Sequence, residues 1–267
     1  LKEKDLTGLE EFANIGYFSR APIADQVFNS DYDVDLYEGA LNEKVFSVEL
    51  GYGYKTQVFS ANVNLYHTNW IDRFMTFSLP GANGEFITSN VTGLDALHQG
   101  LEIDFLYKPI EKLSITGMAS LGNWRWKDNA SASTFNDTTG EIIATSTVYA
   151  KDLKVSDAAQ TTFALGVKYD LLEKTNVSLD YNYAGDNYAT MNVTSRTDEA
   201  DAGVDTWKLP NYHLFDFGIR HGFEIAGLES TVSANMNNIF DVEYISDANN
   251  GSNSNYDTAQ VYYGAGR

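Results

Sequence analysis

The segment "QVFSANVNLYHTNW", residues 57–70, decides the fold class, because its side chains alternate between two chemical types. From position 59 to position 65 every second residue is apolar, and small or polar residues occupy most of the positions between them. A period of two predicts a β-strand whose two faces meet different environments. The apolar row is Phe59, Ala61, Val63 and Leu65.

The same alternation recurs along the whole chain, which predicts an all-β protein. Seven further segments show it: 46–54, 101–107, 113–121, 163–170, 177–183, 215–223 and 230–237. Two shorter segments, 12–19 and 259–266, are predicted to add one strand at each end. No stretch shows a convincing helical period.

The connections between these segments alternate strictly between short and long. The long ones are rich in Asn, Asp, Ser, Thr and Gly, which predicts loops. They span 21–43, 73–97, 127–159, 185–210 and 239–258. In an antiparallel up-and-down sheet, all short turns then lie on one rim and all long loops on the other. This asymmetry is typical of outer-membrane barrels.

Composition agrees with a membrane barrel and excludes other classes. The 267 residues contain 13% aromatic side chains, which suit the two membrane interfaces. The net charge of -19 argues against nucleic acid as a partner. Without cysteine, neither a disulfide nor a thiolate metal site can form. We therefore expect a transmembrane β-barrel with its apolar rows on lipid and its polar rows around a lumen.

Several motifs resemble those of TonB-dependent outer-membrane receptors, particularly receptors from the Bacteroidetes. The resemblance covers nearly the whole chain in the family's order. It rests on an FSRAP-like stretch and on E-x-G and G-x-E strands with short turns. It also rests on an N-x-x-N-[LI]-F-D-x-x-Y signature and on a segment that resembles the one preceding the family's last strand. These are "NIGYFSRAPIADQVF" (14–28), "FSVELGYGYKTQVFSANVNLYHTNW" (46–70), "HQGLEIDFLYKPIEKLSITGMASLGNW" (98–124), "NMNNIFDVEY" (235–244) and "YYGAGR" (262–267).

The resemblance implies the C-terminal portion of a barrel of about 22 strands, of which residues 1–267 would form roughly ten. The N-terminal plug, its TonB box and the last strand are expected to lie outside this chain. The implied function is TonB-dependent active uptake of a scarce nutrient: a ferric siderophore, haem, cobalamin or an oligosaccharide. The chain is not predicted to be an enzyme, and no cofactor or metal is expected.

The resemblance also implies partners and a location in the bacterial outer membrane. The expected partners are outer-membrane lipid and lipopolysaccharide, the plug of the same protein, the TonB complex acting through that plug, a surface lipoprotein and a small-molecule or glycan ligand.

Glu49 and Glu102 occupy positions in the polar rows of their strands, which are predicted to face the lumen. In the family, glutamates in these two motifs face plug arginines, and the resemblance implies this role here. Solvation in the lumen is the alternative for both. A pair of glycosidase carboxylates is a further alternative, but the lumen carries many acidic groups and no distinct cleft is indicated.

Four tryptophans are candidate ligand contacts because they lie at or beside the predicted long loops: Trp70, Trp124, Trp126 and Trp207. An indole ring can stack on a sugar or a siderophore. Anchoring at the membrane interface is the alternative for each. His67 and His98 are predicted to be ordinary rim residues.

Two other functions remain open. A passive outer-membrane porin would share the alternating strands but would lack a plug. A soluble carbohydrate-binding β-sandwich or propeller would bury the apolar rows against a second layer of protein.

Overall fold

The computed structural model describes residues 8–28, 41–80, 86–136, 139–251 and 253–266. Within these ranges the protein is built almost entirely from β-strands. The strands are β1 (Gly8–Arg20), β2 (Glu43–Lys55), β3 (Phe59–Pro80), β4 (Phe86–Ile110), β5 (Leu113–Trp126), β6 (Ala130–Asn136), β7 (Ile142–Val148), β8 (Thr161–Leu172), β9 (Thr175–Gly185), β10 (Tyr212–Ile225), β11 (Leu228–Met236), β12 (Ile245–Asn249) and β13 (Gln260–Tyr263). The helices are α1 (Ala24–Val27) and two 3₁₀ turns, Val193–Ser195 and Glu199–Asp201.

Most of the strands form one antiparallel sheet in which neighbours in sequence are neighbours in space. The order is β1-β2-β3-β4-β5-β8-β9-β10-β11, and β6 and β7 extend the sheet beside β4. This is the up-and-down topology that the sequence predicts. β12 and β13 form a separate hairpin.

Short turns and long connections occupy opposite rims, as predicted. The short turns join β2 to β3, β4 to β5, β8 to β9 and β10 to β11. In the last of these, Ala226 and Gly227 have φ angles of 53° and 80°. Positive φ at both central residues gives a hairpin turn whose twist matches that of the flanking strands. We call the two edges the short-turn rim and the long-loop rim.

Three parts of the loop prediction are wrong. The predicted loop at 73–97 is largely strand, because β3 and β4 stay paired out to Pro80 and Phe86. The predicted loop at 127–159 contains the β6–β7 hairpin, and 239–258 contains β12. In the first two segments, Ser, Thr and Asn side chains occupy one face of paired strands, so polar composition did not distinguish them from loops. Residues 29–40 of the predicted loop at 21–43 lie outside the described ranges.

The terminal strand predictions have different outcomes. The predicted strand at 12–19 is confirmed within β1. The predicted strand at 259–266 forms as β13, but it pairs with β12 and not with the main sheet. The alternation at 259–266 therefore predicted a strand correctly, but this strand does not extend the main sheet.

The apolar rows run across the sheet in register and have no second protein layer over them in the described part of the chain. Leu50 pairs with Leu65, which pairs with Leu101, which pairs with Leu121. Leu50 is 56% exposed, Leu65 53% and Leu121 43%. A soluble sandwich would bury such a row, whereas in the described residues the row is exposed and available to lipid.

The buried core lies near the long-loop rim instead. It is formed by the extended parts of β3 and β4, the β6–β7 hairpin and the segments around Leu153 and Met191. Val91, Leu94 and Val148 are fully buried there. The long connections therefore pack into a compact layer. No helix in the described ranges has the length and the apolar character needed to cross a membrane.

Replacing Val63 with Arg in the intact protein should destabilise the membrane-inserted barrel by about 2–4 kcal/mol if the side chain lies at mid-bilayer. Val63 lies in the outward row between Tyr52 and Ile103. The assembled fraction in outer membranes, read by heat-modifiable gel mobility, measures the effect.

Asn62→Arg is the matched control, one residue away on the opposite face. Its side chain already donates to Asp104 at 3.0 Å, so an arginine there gains a carboxylate partner. Equal assembly defects in the two variants would contradict the assignment of Val63 to the lipid face and Asn62 to the lumen face.

Candidate functional site

The lumen-facing wall carries an aromatic cluster near the long-loop rim, built over two glycines. Gly100 on β4 pairs with Gly122 on β5. Because neither has a side chain, the rings of Tyr66 and Trp124 can lie across the strands above them. The indole Nε1 of Trp124 donates to the Tyr66 hydroxyl at 2.7 Å, which holds both rings in place.

His98 joins this cluster to Trp70. Its imidazole lies between two indoles, with ring centroids 6.1 Å from Trp70 and 5.3 Å from Trp124. Its Nδ1 is buried and has no hydrogen-bond partner among the described residues. His98 therefore lies near the long-loop rim, where it was expected, and forms part of the aromatic cluster there.

Arg73 completes the cluster from β3. Its guanidinium carbon lies 5.3 Å from the ring centre of Trp70 and 5.4 Å from that of Trp126. A cation at this distance from an aromatic face is attracted by the ring's quadrupole. The pairing between β3 and β4 shifts register between Trp70 and Arg73, and Asp72 has a φ of 57°. This irregularity turns Arg73 towards the face that carries the tryptophans.

Arg73 makes only a long ion pair with a carboxylate. Its Nε lies 4.0 Å from a carboxylate oxygen of Glu43. Glu43 is 7% exposed, and its other oxygen accepts from Arg20 at 2.7 Å. One carboxylate thus lies between two guanidinium groups and binds Arg20 more closely.

A cavity of about 270 Å³ opens between this cluster and the long connections. Its walls include all three tryptophans of the cluster, with Arg73 and His98 on the strand side. Met191, Thr190 and Asp157 line the opposite side. The Thr190 hydroxyl donates to the Asp157 carboxylate. The cavity combines flat apolar walls with one guanidinium and one carboxylate.

The connection that closes the cavity is held by a buried arginine. Arg196 is 2% exposed and donates to the carbonyl oxygens of Tyr149, Asp201 and Val204 at 3.1, 2.6 and 2.8 Å. Burial lowers the pKa of its guanidinium, while Asp201 and Asp205 act in the opposite direction. Arg196 thereby fixes the β9–β10 connection against the segment that follows β7.

An ion pair at the rim fixes the two ends of the same connection. Lys208 donates to Asp186, and the Thr161 hydroxyl donates to the other carboxylate oxygen at 2.7 Å. The hydrogen bond from Lys208 is the largest cause that lowers the pKa of Asp186, followed by the one from Thr161. The same bond raises the pKa of Lys208. Because both partners are substantially exposed, the pair orients the connection more than it stabilises the fold.

The structure brings together three of the four candidate tryptophans. Trp70, Trp124 and Trp126 surround the cavity, whereas Trp207 packs against Tyr256 with ring centroids 5.9 Å apart. Trp207 is not among the residues that line the cavity. Arg73 was not among the candidates from the sequence, and His98 was predicted only as a rim residue. The even numbering that His98 shares with Tyr66 and Trp70 is the signal that places these three residues on one face.

Glu49 and Glu102 lie on the lumen face of neighbouring hairpins. Glu49 is opposite Tyr66 and accepts from Asn14 at 3.3 Å. Glu102 is opposite Asn64 and is exposed. The Oδ1 of Asn64 is buried and has no hydrogen-bond donor among the described residues. This part of the wall is therefore rich in acceptors.

Within the described ranges, no group of three or more His, Asp or Glu side chains has a metal-binding arrangement.

Gly100→Ala should displace the Tyr66–Trp124 pair and destabilise the barrel by about 1–3 kcal/mol. A Cβ at Gly100 would lie 2.5 Å from the Tyr66 hydroxyl and 2.5 Å from the backbone oxygen of Leu121. The unfolding temperature of the intact protein in detergent, followed by gel mobility, measures the change. Gly222→Ala is the control, since its nearest neighbours would be 3.8 Å away. Equal shifts in both variants would contradict the steric role of Gly100.

Comparison with known proteins identifies the family. A family described as "TonB dependent receptor-like, beta-barrel" matches residues 6–239. Among solved structures, the copper transporter OprC superposes with a TM-score of 0.63 at 14% identity, over 98% of this chain and 36% of its own.

Two further structures superpose in the same way. The ferric-catecholate import receptor Fiu from K12 E. coli gives a TM-score of 0.59 at 13% identity, over 97% of this chain and 31% of its own. The FrpB iron transporter from Neisseria meningitidis gives 0.55 at 13% identity, over 91% and 34%. At these identities the superpositions show the fold alone. No curated protein sequence matches the chain.

The chain spans about a third of the length of each of these transporters. The family match covers most of the chain. The antiparallel sheet has the apolar and polar faces, and the short-turn and long-loop rims, that are typical of outer-membrane barrels. This protein therefore belongs to the TonB-dependent receptor family, and its 267 residues form part of a receptor β-barrel in the bacterial outer membrane.

Proposed function

We propose that this chain is the C-terminal portion of the barrel of an active transporter, which takes up a scarce nutrient through TonB. Ferric siderophores, haem, cobalamin and oligosaccharides are the candidate nutrients. The observation that carries the proposal is the preformed cavity between the lumen wall and the packed connections. A ligand bound there would lie inside the barrel, where only an opened plug would let it continue inward.

The described chemistry favours binding over catalysis. Flat aromatic walls and one guanidinium provide contact area and charge recognition. The acid that lines the cavity in the described part of the chain, Asp157, accepts a hydrogen bond from Thr190. Members of the family are typically transporters that carry out no covalent reaction. We accordingly assign the cavity to ligand capture.

The acceptor-rich wall around Glu49, Asn64 and Glu102 supports contact with a plug. The buried Oδ1 of Asn64 lacks a donor within the described chain, and a buried acceptor without a donor is costly. That oxygen is already inaccessible within this chain, so donors from the plug would pair with the carboxylates of Glu49 and Glu102. TonB would act on that plug, and the loops would receive the ligand.

Trp124→Ala should weaken uptake of the nutrient about tenfold in apparent affinity, which corresponds to ~1.4 kcal/mol. The substitution removes an indole from the cavity wall. Growth and uptake are measured with the full-length receptor on ferric catecholate, ferric hydroxamate, haem, cobalamin and an oligosaccharide, with and without TonB.

Trp207→Ala is the control, because Trp207 does not line the cavity. A larger effect at Trp207 than at Trp124 would place ligand contact on the loop instead. Uptake that persists without TonB would identify a passive porin and contradict the proposed function.

Glu49→Gln combined with Glu102→Gln should loosen the plug. Each charge-assisted hydrogen bond to a plug arginine would contribute about 1.5–3 kcal/mol, and the amides would lose most of it. Sensitivity of cells to vancomycin, a large antibiotic that enters through an opened barrel, measures plug retention. Glu111→Gln, in the short turn between β4 and β5, is the control. Unchanged sensitivity in the double variant would contradict the plug contact.

A further inference from the structure

The cavity behind the aromatic cluster has features that restrict the chemistry of its ligand. Its volume of about 270 Å³ is at or below the lower end of the range for small-molecule pockets. It can therefore hold one ring with a substituent, or one ring-sized part of a larger molecule. Trp70, Trp124 and Trp126 give it flat walls, which favour a planar group over a branched one.

Among the described residues that line the cavity, Arg73 is the one permanently charged cation. Its guanidinium carbon lies within cation–π distance of Trp70 and Trp126, and its Nη atoms make no hydrogen bond with the described residues. Those Nη atoms are therefore available for a carboxylate, which a guanidinium can bind through two parallel hydrogen bonds.

The neighbouring acids do not satisfy this edge. Glu43 approaches Arg73 only to 4.0 Å and binds Arg20 at 2.7 Å. Asp157 lines the same cavity and accepts from the Thr190 hydroxyl. Both carboxylates act on Arg73 electrostatically, but neither forms a hydrogen bond with its guanidinium. An anionic ligand would therefore compete with two nearby acids for a guanidinium whose hydrogen-bonding edge neither of them occupies.

His98 adds another flat ring beside the tryptophans. Its Nδ1 is buried without a partner in the described chain, and its imidazole lies between the indoles of Trp70 and Trp124. Because that nitrogen is inaccessible, His98 contributes the flat surface of its ring to the cavity wall.

We infer that the cavity binds a planar aromatic ring bearing an anionic group, with the ring against the tryptophans and the anion on Arg73. This inference rests on the proposed function, because it names the ligand class of the same site. A neutral sugar would use the flat walls but would leave Arg73 without an anion. A saturated acid would bind Arg73 but would stack less well.

The test uses the full-length receptor in detergent and three probes of similar size, titrated by ligand-detected NMR. Benzoate has both features, benzamide lacks the charge, and cyclohexanecarboxylate lacks the flat ring. Benzoate should bind about tenfold more tightly than either of the others. Equal affinity for benzoate and benzamide would overturn the anionic part. Equal affinity for benzoate and cyclohexanecarboxylate would overturn the aromatic part.

Arg73→Gln should reduce benzoate affinity about tenfold and leave benzamide affinity unchanged. Arg125→Gln is the matched control, since Arg125 donates to the backbone oxygen of Asp152 and does not line the cavity. Unchanged benzoate binding in Arg73→Gln would overturn the assignment of the anion to Arg73. If Arg73→Gln fails to assemble, Arg73→Lys replaces it as a variant that keeps the charge. The three-probe comparison on the unmodified receptor then decides whether the ligand is an aromatic anion.

The outcome is separable from that of the proposed function. TonB-dependent uptake without benzoate preference would overturn only the ligand class. Benzoate preference with TonB-independent uptake would overturn only the transport mechanism.

Discussion

The alternation of side chains along paired strands is the constraint on which the rest of the structure depends. Every strand must satisfy its backbone through its neighbours, and its two faces meet lipid and lumen. A slip of one residue would move the Leu50–Leu65–Leu101–Leu121 row into the lumen and turn Glu102 towards lipid. The short turns prevent that slip because they leave little freedom in register. Both the lipid surface and the ligand wall follow from this one alignment.

The sequence predicted the part of the fold where one face is consistently apolar. Around Leu65 and Leu101 the period of two is clear, and the predicted strands are present. Beyond Trp70 and before Leu94, polar residues occupy one face and the apolar face packs on β6. Composition there resembles a loop, although the backbone is paired. Long-range packing decides the structure in this region, and it cannot be read from a local window.

The candidate site was predictable in part. Trp70, Trp124 and Trp126 were singled out for their position, and their even numbering places them with Tyr66 and Glu102 on the lumen face. Arg73 is odd and would face outward in a regular strand. The register shift beside Asp72 reverses it. A bulge inserts a residue without any strong signal in sequence, so the guanidinium that gives the site its charge could not be placed beforehand.

The way in which Arg73 is held explains how a strongly acidic chain can offer an anion site. With a net charge of -19, carboxylates are abundant, and a guanidinium paired with one of them would be neutralised. Two indole rings attract the cation instead and contribute no formal charge. Glu43 is kept closer to Arg20. The position of Arg73 is thus supported by neutral neighbours, and its guanidinium keeps hydrogen-bonding capacity that the nearby carboxylates do not use.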